Sequence, residues 1–305
     1  MAWYVAKRVA TMFATLFAVV LLTFMLMHSI PGGPFTAERK LPDAVEQALV
    51  KKYNLDAPLH EQFIDYVRGL LVFDLGPSFK YEGRSVNEFI AEGFPLSSRL
   101  GLMSIVFILF LALPLGCVSA IKSGKWQDLL IMFLATLGIT IPSFVIATAL
   151  MYLFSYRLGW LPVFGVSSVK GYVLPVIALS GYSLAFITRL MRSSLLEVMG
   201  QDYIRTARAK GLSETAVLVK HAMRNALLPV VTILGPTLAS LLTGSFVIEK
   251  IFALPGMGIH FVTSIANRDY TAIMGITIFY ATILVAMVFI VDIFYVMIDP
   301  RIKLQ

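Results

Sequence analysis

The chain has 305 residues, 58% hydrophobic and 14% charged, a balance that excludes an ordinary soluble domain. Its net charge of +7 would suit a nucleic-acid binder, but the basic residues sit beside apolar runs, which fits the inner face of a membrane instead. The single cysteine, Cys117, lies in an apolar run, has no partner for an internal disulfide and reads as a small buried hydrophobe.

Lys7 and Arg8 precede an apolar run from Val9 to Ile30. That run is too long for a signal-peptide core and lacks a clear cleavage site, so it predicts an uncleaved first membrane helix. About 20 apolar residues cross a bilayer, and six segments qualify: 9–30, 100–121, 130–156, 172–191, 229–250 and 272–297. Short loops rich in Lys and Arg stay in the cytoplasm. Lys7 with Arg8, Lys122 with Lys125, the basic loop 192–228, and Arg301 with Lys303 all fall on one side when the six spans alternate. Both termini are therefore expected in the cytoplasm. The expected organisation is 1–30 as the N-terminal end and first span, 31–99 as an external loop, and 100–305 as a five-helix core.

The external loop predicts short helices. Asp43 to Tyr53 is charged and amphipathic, and Leu59 to Val72 carries Phe63, Tyr66, Val67 and Leu70 at helical spacing. Phe63, Tyr66 and Leu70 should pack on the spans or on 251–265, with Glu61, Asp65 and Arg68 facing away. Asp74 to Ser78 reads as a turn and Val86 to Ala91 as a third short helix. The loop is too small for a catalytic domain and is expected to cap the outer mouth.

Several spans carry helix breakers: Pro114 and Gly116, Gly138 and Pro142, Pro175 and Gly181, and Gly235-Pro236. Proline inside a helix removes a backbone hydrogen bond and bends it. In lipid such a break needs neighbours or a cavity to satisfy the freed groups. The spans are expected to be interrupted at these points and packed together around something, or as inert kinked packing.

Between the fourth and fifth spans, Asp202 to Pro229 is a long polar segment. Its cations are Arg205, Arg208, Lys210, Lys220 and Arg224, against Asp202 and Glu214. Asp202 to Lys210 favours a helix, Gly211 is a natural left-handed stop, and Ser213 is placed to cap a second, amphipathic helix. Such a segment either only fixes topology or couples to a partner. In the second case Ala207 and Ala209 would allow close approach to a groove, and Arg205, Arg208 and Lys210 would pair with acids there. Between the last two spans, Leu254 to Gly258 is a tight turn followed by a short amphipathic stretch that reads as dipping into the outer mouth.

Several chemistries are missing from the sequence. There is no Gly-x-x-x-x-Gly-Lys loop for ATP, and no Gly-x-Ser-x-Gly elbow. His28, His60, His221 and His260 are scattered without metal-ligand spacing. Ser143 beside Pro142 has no base in reach for a serine hydrolase. Asp292, inside a span, is expected to pair with Arg189 or Arg192 on the cytoplasmic side, with ion coupling as the alternative.

Arg205-Thr206-Ala207, three further residues and then Gly211 resemble the E-A-A-x-x-x-G loop of ABC-transporter permeases. Arg205 stands where the general motif has Glu, and the Leu-Pro pair comes late, at Leu228-Pro229. The variant run Arg205 to Leu212, with His221-Ala222 and Asn225 to Pro229, is similar to the peptide and nickel permease branch. Pro31 to Thr36 with Glu38-Arg39 resembles the oligopeptide permease B subunits in particular. Pro142 to Phe144, Leu158 to Pro162, Arg189 to Val198, Glu249 with Pro255 to Gly258, Arg268 to Tyr270, and Asp292, Tyr295 and Asp299 to Arg301 extend the likeness over almost the whole chain.

The resemblance implies an all-α integral membrane protein of six transmembrane helices, like a type I ABC importer permease, with a small helical external cap. It would lie in a bacterial or archaeal cytoplasmic membrane. It implies a transporter subunit and not an enzyme, for oligopeptides, with dipeptides, murein peptides or nickel as alternatives. The implied coupling element is Arg205, Thr206, Ala207, Arg208, Ala209, Lys210, Gly211 and Leu212. Implied partners are a homologous permease subunit, two ATPase subunits that hold ATP and Mg, an external peptide-binding protein, the peptide and membrane lipid, with no nucleic acid. An ion-coupled secondary transporter is the competing class, but its internal repeats are not seen. An intramembrane enzyme comes third.

Overall fold

The computed structural model describes residues 2–30, 47, 50–165 and 168–298. The N-terminal helix α1 is Ala2–Ser29. It is followed by α2 (Leu59–Leu71), α3 (Val86–Ile121), α4 (Trp126–Thr140) and α5 (Ser143–Leu150), which runs on as a π-helix, Met151–Arg157. Next come α6 (Val169–Met199), α7 (Asp202–Ala209) and α8 (Glu214–Ala216), then a π-turn, Val217–Ala222, and α9 (Met223–Ala226). The chain closes with α10 (Leu228–Leu242), α11 (Phe246–Ile251), α12 (Met257–Ala266) and α13 (Tyr270–Ile298). Among the described residues the only β pairing is an isolated bridge, Pro77 to Ser85. Most of the expected Asp43–Tyr53 helix, the Pro31–Arg39 motif and Asp299 to Arg301 lie outside the described residues.

Among the described residues five stretches are long and apolar enough to cross a membrane, and the pair α4 and α5 makes a sixth if taken as one bent span. Only 11% of the apolar window of α1 is buried, and Phe13, Phe17, Leu22, Met25 and Leu26 are exposed along it. Water would not tolerate such a surface, whereas lipid would.

The chain forms two compact units, Met1–Leu96 with Pro255–Val285, and Ser97–Leu254 with Ala286–Gln305. In the first unit α2 forms where the sequence predicts it. Glu61 in its first turn and Arg68 in its last both suit the helix dipole. Phe63 packs edge-on against Phe24 of α1, ring centroids 5.2 Å apart, and Tyr66 lies on the same ring. Glu61, Asp65 and Arg68 face outward, as expected. Asp269 is fully buried, accepts hydrogen bonds from Ser78 Oγ and from the Phe79 amide at 3.1 Å, and caps α13 through the Ala272 amide.

The second unit is built around α6. Ile187, Met191 and Leu195 of α6 are wholly buried in a cluster with Ile105, Ile108 and Ala112 of α3 and Val230 and Leu241 of α10. Helices α4, α5, α9, α10 and α11 all pack on α6.

Three expectations are corrected. The third short helix at Val86–Ala91 is the beginning of α3, a single 36-residue helix. At 1.5 Å per residue it is about 54 Å long, well beyond the roughly 30 Å hydrocarbon layer. Pro114 and Gly116 do not interrupt it. A Cβ on Gly116 would lie 2.6 Å from that of Met191, so this glycine serves helix contact and not a break. Pro175 and Pro236 likewise sit inside continuous helices α6 and α10. A proline removes one backbone bond, and the packed residues on either side hold the rest of the ladder. Two breaks are found, one of them at the expected Pro142. One is Ile141-Pro142, where Ile141 is extended ahead of the proline and α4 and α5 meet at 106°. The other is Gly244, at φ 83°, followed by Ser245, whose hydroxyl caps α11.

Candidate functional site

The polar segment after α6 is a short helix, a corner and a second helical stretch. Helix α7 spans Asp202–Ala209, with Asp202 in its first turn and Arg208 in its last, both favourable for the dipole. Gly211 follows at φ 76° in open space, a conformation that costs any side chain about 1 kcal/mol. Ser213 then caps α8 by accepting the Ala216 amide at 3.3 Å. All three features follow the sequence prediction.

Helix α7 is anchored by its inner face. Ile204 is fully buried and Ala207 is 5% exposed, both in the core cluster with Leu195, Ala120 and Val217. Asn225 Nδ2 donates to the Tyr203 hydroxyl at 2.7 Å, which ties the N-terminal turn of α7 to α9. Across the corner, Arg208 donates two hydrogen bonds to Glu214, at 2.9 and 3.1 Å. That bonding raises the Arg208 guanidinium above its ordinary value, so it stays charged. Arg205 lies 3.4 Å from Asp202 on the same helix. The expected roles of these residues therefore change. Ala207 faces its own protein instead of a partner's groove, and Arg208 is paired within the chain. The exposed face carries Arg205, Thr206, Arg208, Ala209 and Lys210, with Leu212 and Tyr203 as exposed apolar groups at its ends.

The burial of two acids escapes sequence reasoning. Asp128, 3% exposed, accepts both arms of the Arg192 guanidinium at 2.7 Å, the Gly124 amide at 2.9 Å and Ser119 Oγ. Arg192 is thus committed to Asp128 and not to Asp292, contrary to expectation. A signal was present, because Asp128 is an acid at the head of an apolar run. Starting the span at residue 130 hid it. The second is Glu249, 1% exposed, whose carboxylate accepts Ser97 Oγ at 2.7 Å. Among the described residues no group of three or more His, Cys, Asp or Glu side chains could hold a metal.

An all-helical architecture of lipid-length apolar helices, carrying a core-anchored polar helix between two spans, defines the class as a helical integral membrane protein. Comparison with known proteins agrees. Residues 112–304 match the family of binding-protein-dependent transport system inner membrane components. The chain belongs to this family, the permease subunits of ABC importers. It is 50% identical over 305 residues to the dipeptide transport system permease protein DppB of Bacillus subtilis, covering 100% of this chain and 99% of that one. It is 42% identical to the oligopeptide transport system permease protein OppB of Haemophilus influenzae and 39% to that of Escherichia coli, each over 98% of this chain and 99% of the relative. A crystal structure of an amino acid ABC transporter with histidines matches at a TM-score of 0.50 and 16% identity, covering 68% of this chain and 92% of that chain. At that identity the likeness concerns the fold alone.

Proposed function

We propose that this chain is the membrane-spanning subunit of an ATP-driven peptide importer, carrying oligopeptides and forming half of the translocation pathway. The observation that supports it most is α7, a short helix locked to the core by Ile204 and Ala207 while its opposite face is exposed. Arg205, Thr206, Arg208, Ala209, Lys210 and Leu212 form the ATPase-docking face, Ala207 the anchor and Gly211 the corner. A homologous permease subunit completes the pathway. Two separate ATPase subunits bind ATP and Mg, and an external binding protein delivers the peptide. Affinity purification in mild detergent should recover these partners, and recovery without any ATPase subunit would sink the reading.

The relatives support peptide cargo. Dipeptides are the second reading, favoured by the 50% identical relative. Competition of labelled uptake by dipeptides against pentapeptides separates the two.

The orientation follows from the Lys and Arg asymmetry: a bacterial inner membrane protein with both termini and the α7 segment in the cytoplasm and α2 outside. Glu61 and Ser213 are both exposed on the protein surface, so labelling of cysteines there reports only the side of the membrane. In intact cells, an impermeant thiol reagent should modify Glu61→Cys and spare Ser213→Cys. The reverse pattern would overturn both the orientation and the docking role.

A further inference from the structure

The Asp128–Arg192 pair joins three elements at one point. Ser119 comes from the last turns of α3, Asp128 from the first turn of α4 and Arg192 from α6. The Gly124 amide, in the turn between α3 and α4, also bonds Asp128, and Ser123 Oγ lies 3.4 Å from Arg192 Nη2. Both carboxylate oxygens of Asp128 are therefore engaged. A fork-to-fork guanidinium–carboxylate pair fixes direction as well as distance, so neither helix can turn against the other without breaking it.

The location of this clamp matters as much as its geometry. Arg192 lies one turn of α6 from Leu195, which is wholly buried in the cluster that holds Ile204 and Ala207 of α7. Ala120, next to Ser119, belongs to the same cluster. The last turns of α6 thus carry the anchor of α7 through Leu195 and the grip on the α3–α4 hairpin through Arg192.

We propose that Asp128 and Arg192 are positioning residues that carry a displacement of α7 from α6 into the α3–α4 hairpin, with Ser119 orienting the carboxylate. This rests on the docking role of α7 proposed above. A pair that only held the helices together would affect transport and ATP hydrolysis alike. A transmitting pair affects the ratio between them.

The test uses the whole importer in proteoliposomes, with partner permease, ATPase subunits and binding protein, measuring peptide uptake and ATP hydrolysis in parallel. In Asp128→Asn, ATPase subunits should remain bound and hydrolysis should stay within about twofold of the unaltered complex, while peptide moved per ATP falls about tenfold. Arg192→Lys keeps the charge but loses the fork and should fall on the same side. Ser119→Ala removes one neutral donor and should lower the ratio about fivefold. If Asp128→Asn fails to accumulate, the other two variants decide. Uptake and hydrolysis falling in proportion, or both unchanged, overturns the clamp. The docking role fails separately, if Ala209→Glu on the exposed face of α7 leaves ATPase binding and uptake unaltered.

Discussion

Replacing Ala207 with glutamate is expected to abolish peptide uptake, by about a hundredfold or more, and to strip the ATPase subunits from the purified complex. Ala207 is 5% exposed and packs with Ile204, Leu195 and Val217 in the core cluster. A carboxylate there would be placed among apolar side chains of the cluster, and burying it costs several kcal/mol. The cheaper outcome is for α7 to lift away, taking the docking face with it. The neighbouring Ala209 is exposed, so Ala209→Glu tests the face itself without touching the anchor. Ala207→Ser, close in size, should be tolerated nearly in full. Uptake, chain level and ATPase retention are read on the same preparations. Normal uptake by Ala207→Glu at normal chain level would show that the anchoring of α7 is irrelevant to transport.

Gly244→Ala is the second large effect, and it acts on stability. Gly244 lies at φ 83°, and a Cβ there would stand 2.2 Å from Glu249 Oε1 and 2.8 Å from Ser97 Oγ. The carboxylate is the far end of a side chain, but it is 1% exposed and already held by Ser97, so it has nowhere to swing. Gly124 shares the left-handed backbone, at φ 76°, with nothing near its missing side chain. Alanine at Gly124 should cost only the backbone strain, about 1 kcal/mol. Alanine at Gly244 should add the displacement of a buried, hydrogen-bonded carboxylate, about 3–5 kcal/mol more. Thermal unfolding in detergent should rank the unaltered chain above Gly124→Ala and place Gly244→Ala far below both. Equal losses for the two alanines would remove the special role of the Gly244–Glu249 contact.

What could be read from the sequence was local. The helix over Asp202–Ala209, the Gly211 corner, the Ser213 cap and the break at Pro142 each depend on a few consecutive residues, and each stands as expected. Proline misled where packing overrode it, because Pro175 and Pro236 lie inside continuous helices packed against their neighbours. The continuity of α3 from Val86 into the span was hidden because its first turns are polar. The partner of Arg192 was out of reach for a different reason. Asp128 is 64 positions away, and no spacing rule links an acid at the head of one span to a cation near the end of another.

The two ion pairs on and beside α7 bear on how tightly ionic strength could govern assembly. Arg205 is matched by Asp202 and Arg208 by Glu214, so these cations are already partnered before any other protein arrives. Little of their charge is left to attract an acidic groove from a distance, while Tyr203 and Leu212 offer apolar contact. Raising salt, which shortens the reach of exposed charges from about 10 Å at 0.1 M to about 3 Å at 1 M, should therefore change ATPase association only slightly. On the docking role proposed above, association at this helix then rests on shape and dehydration more than on long-range charge.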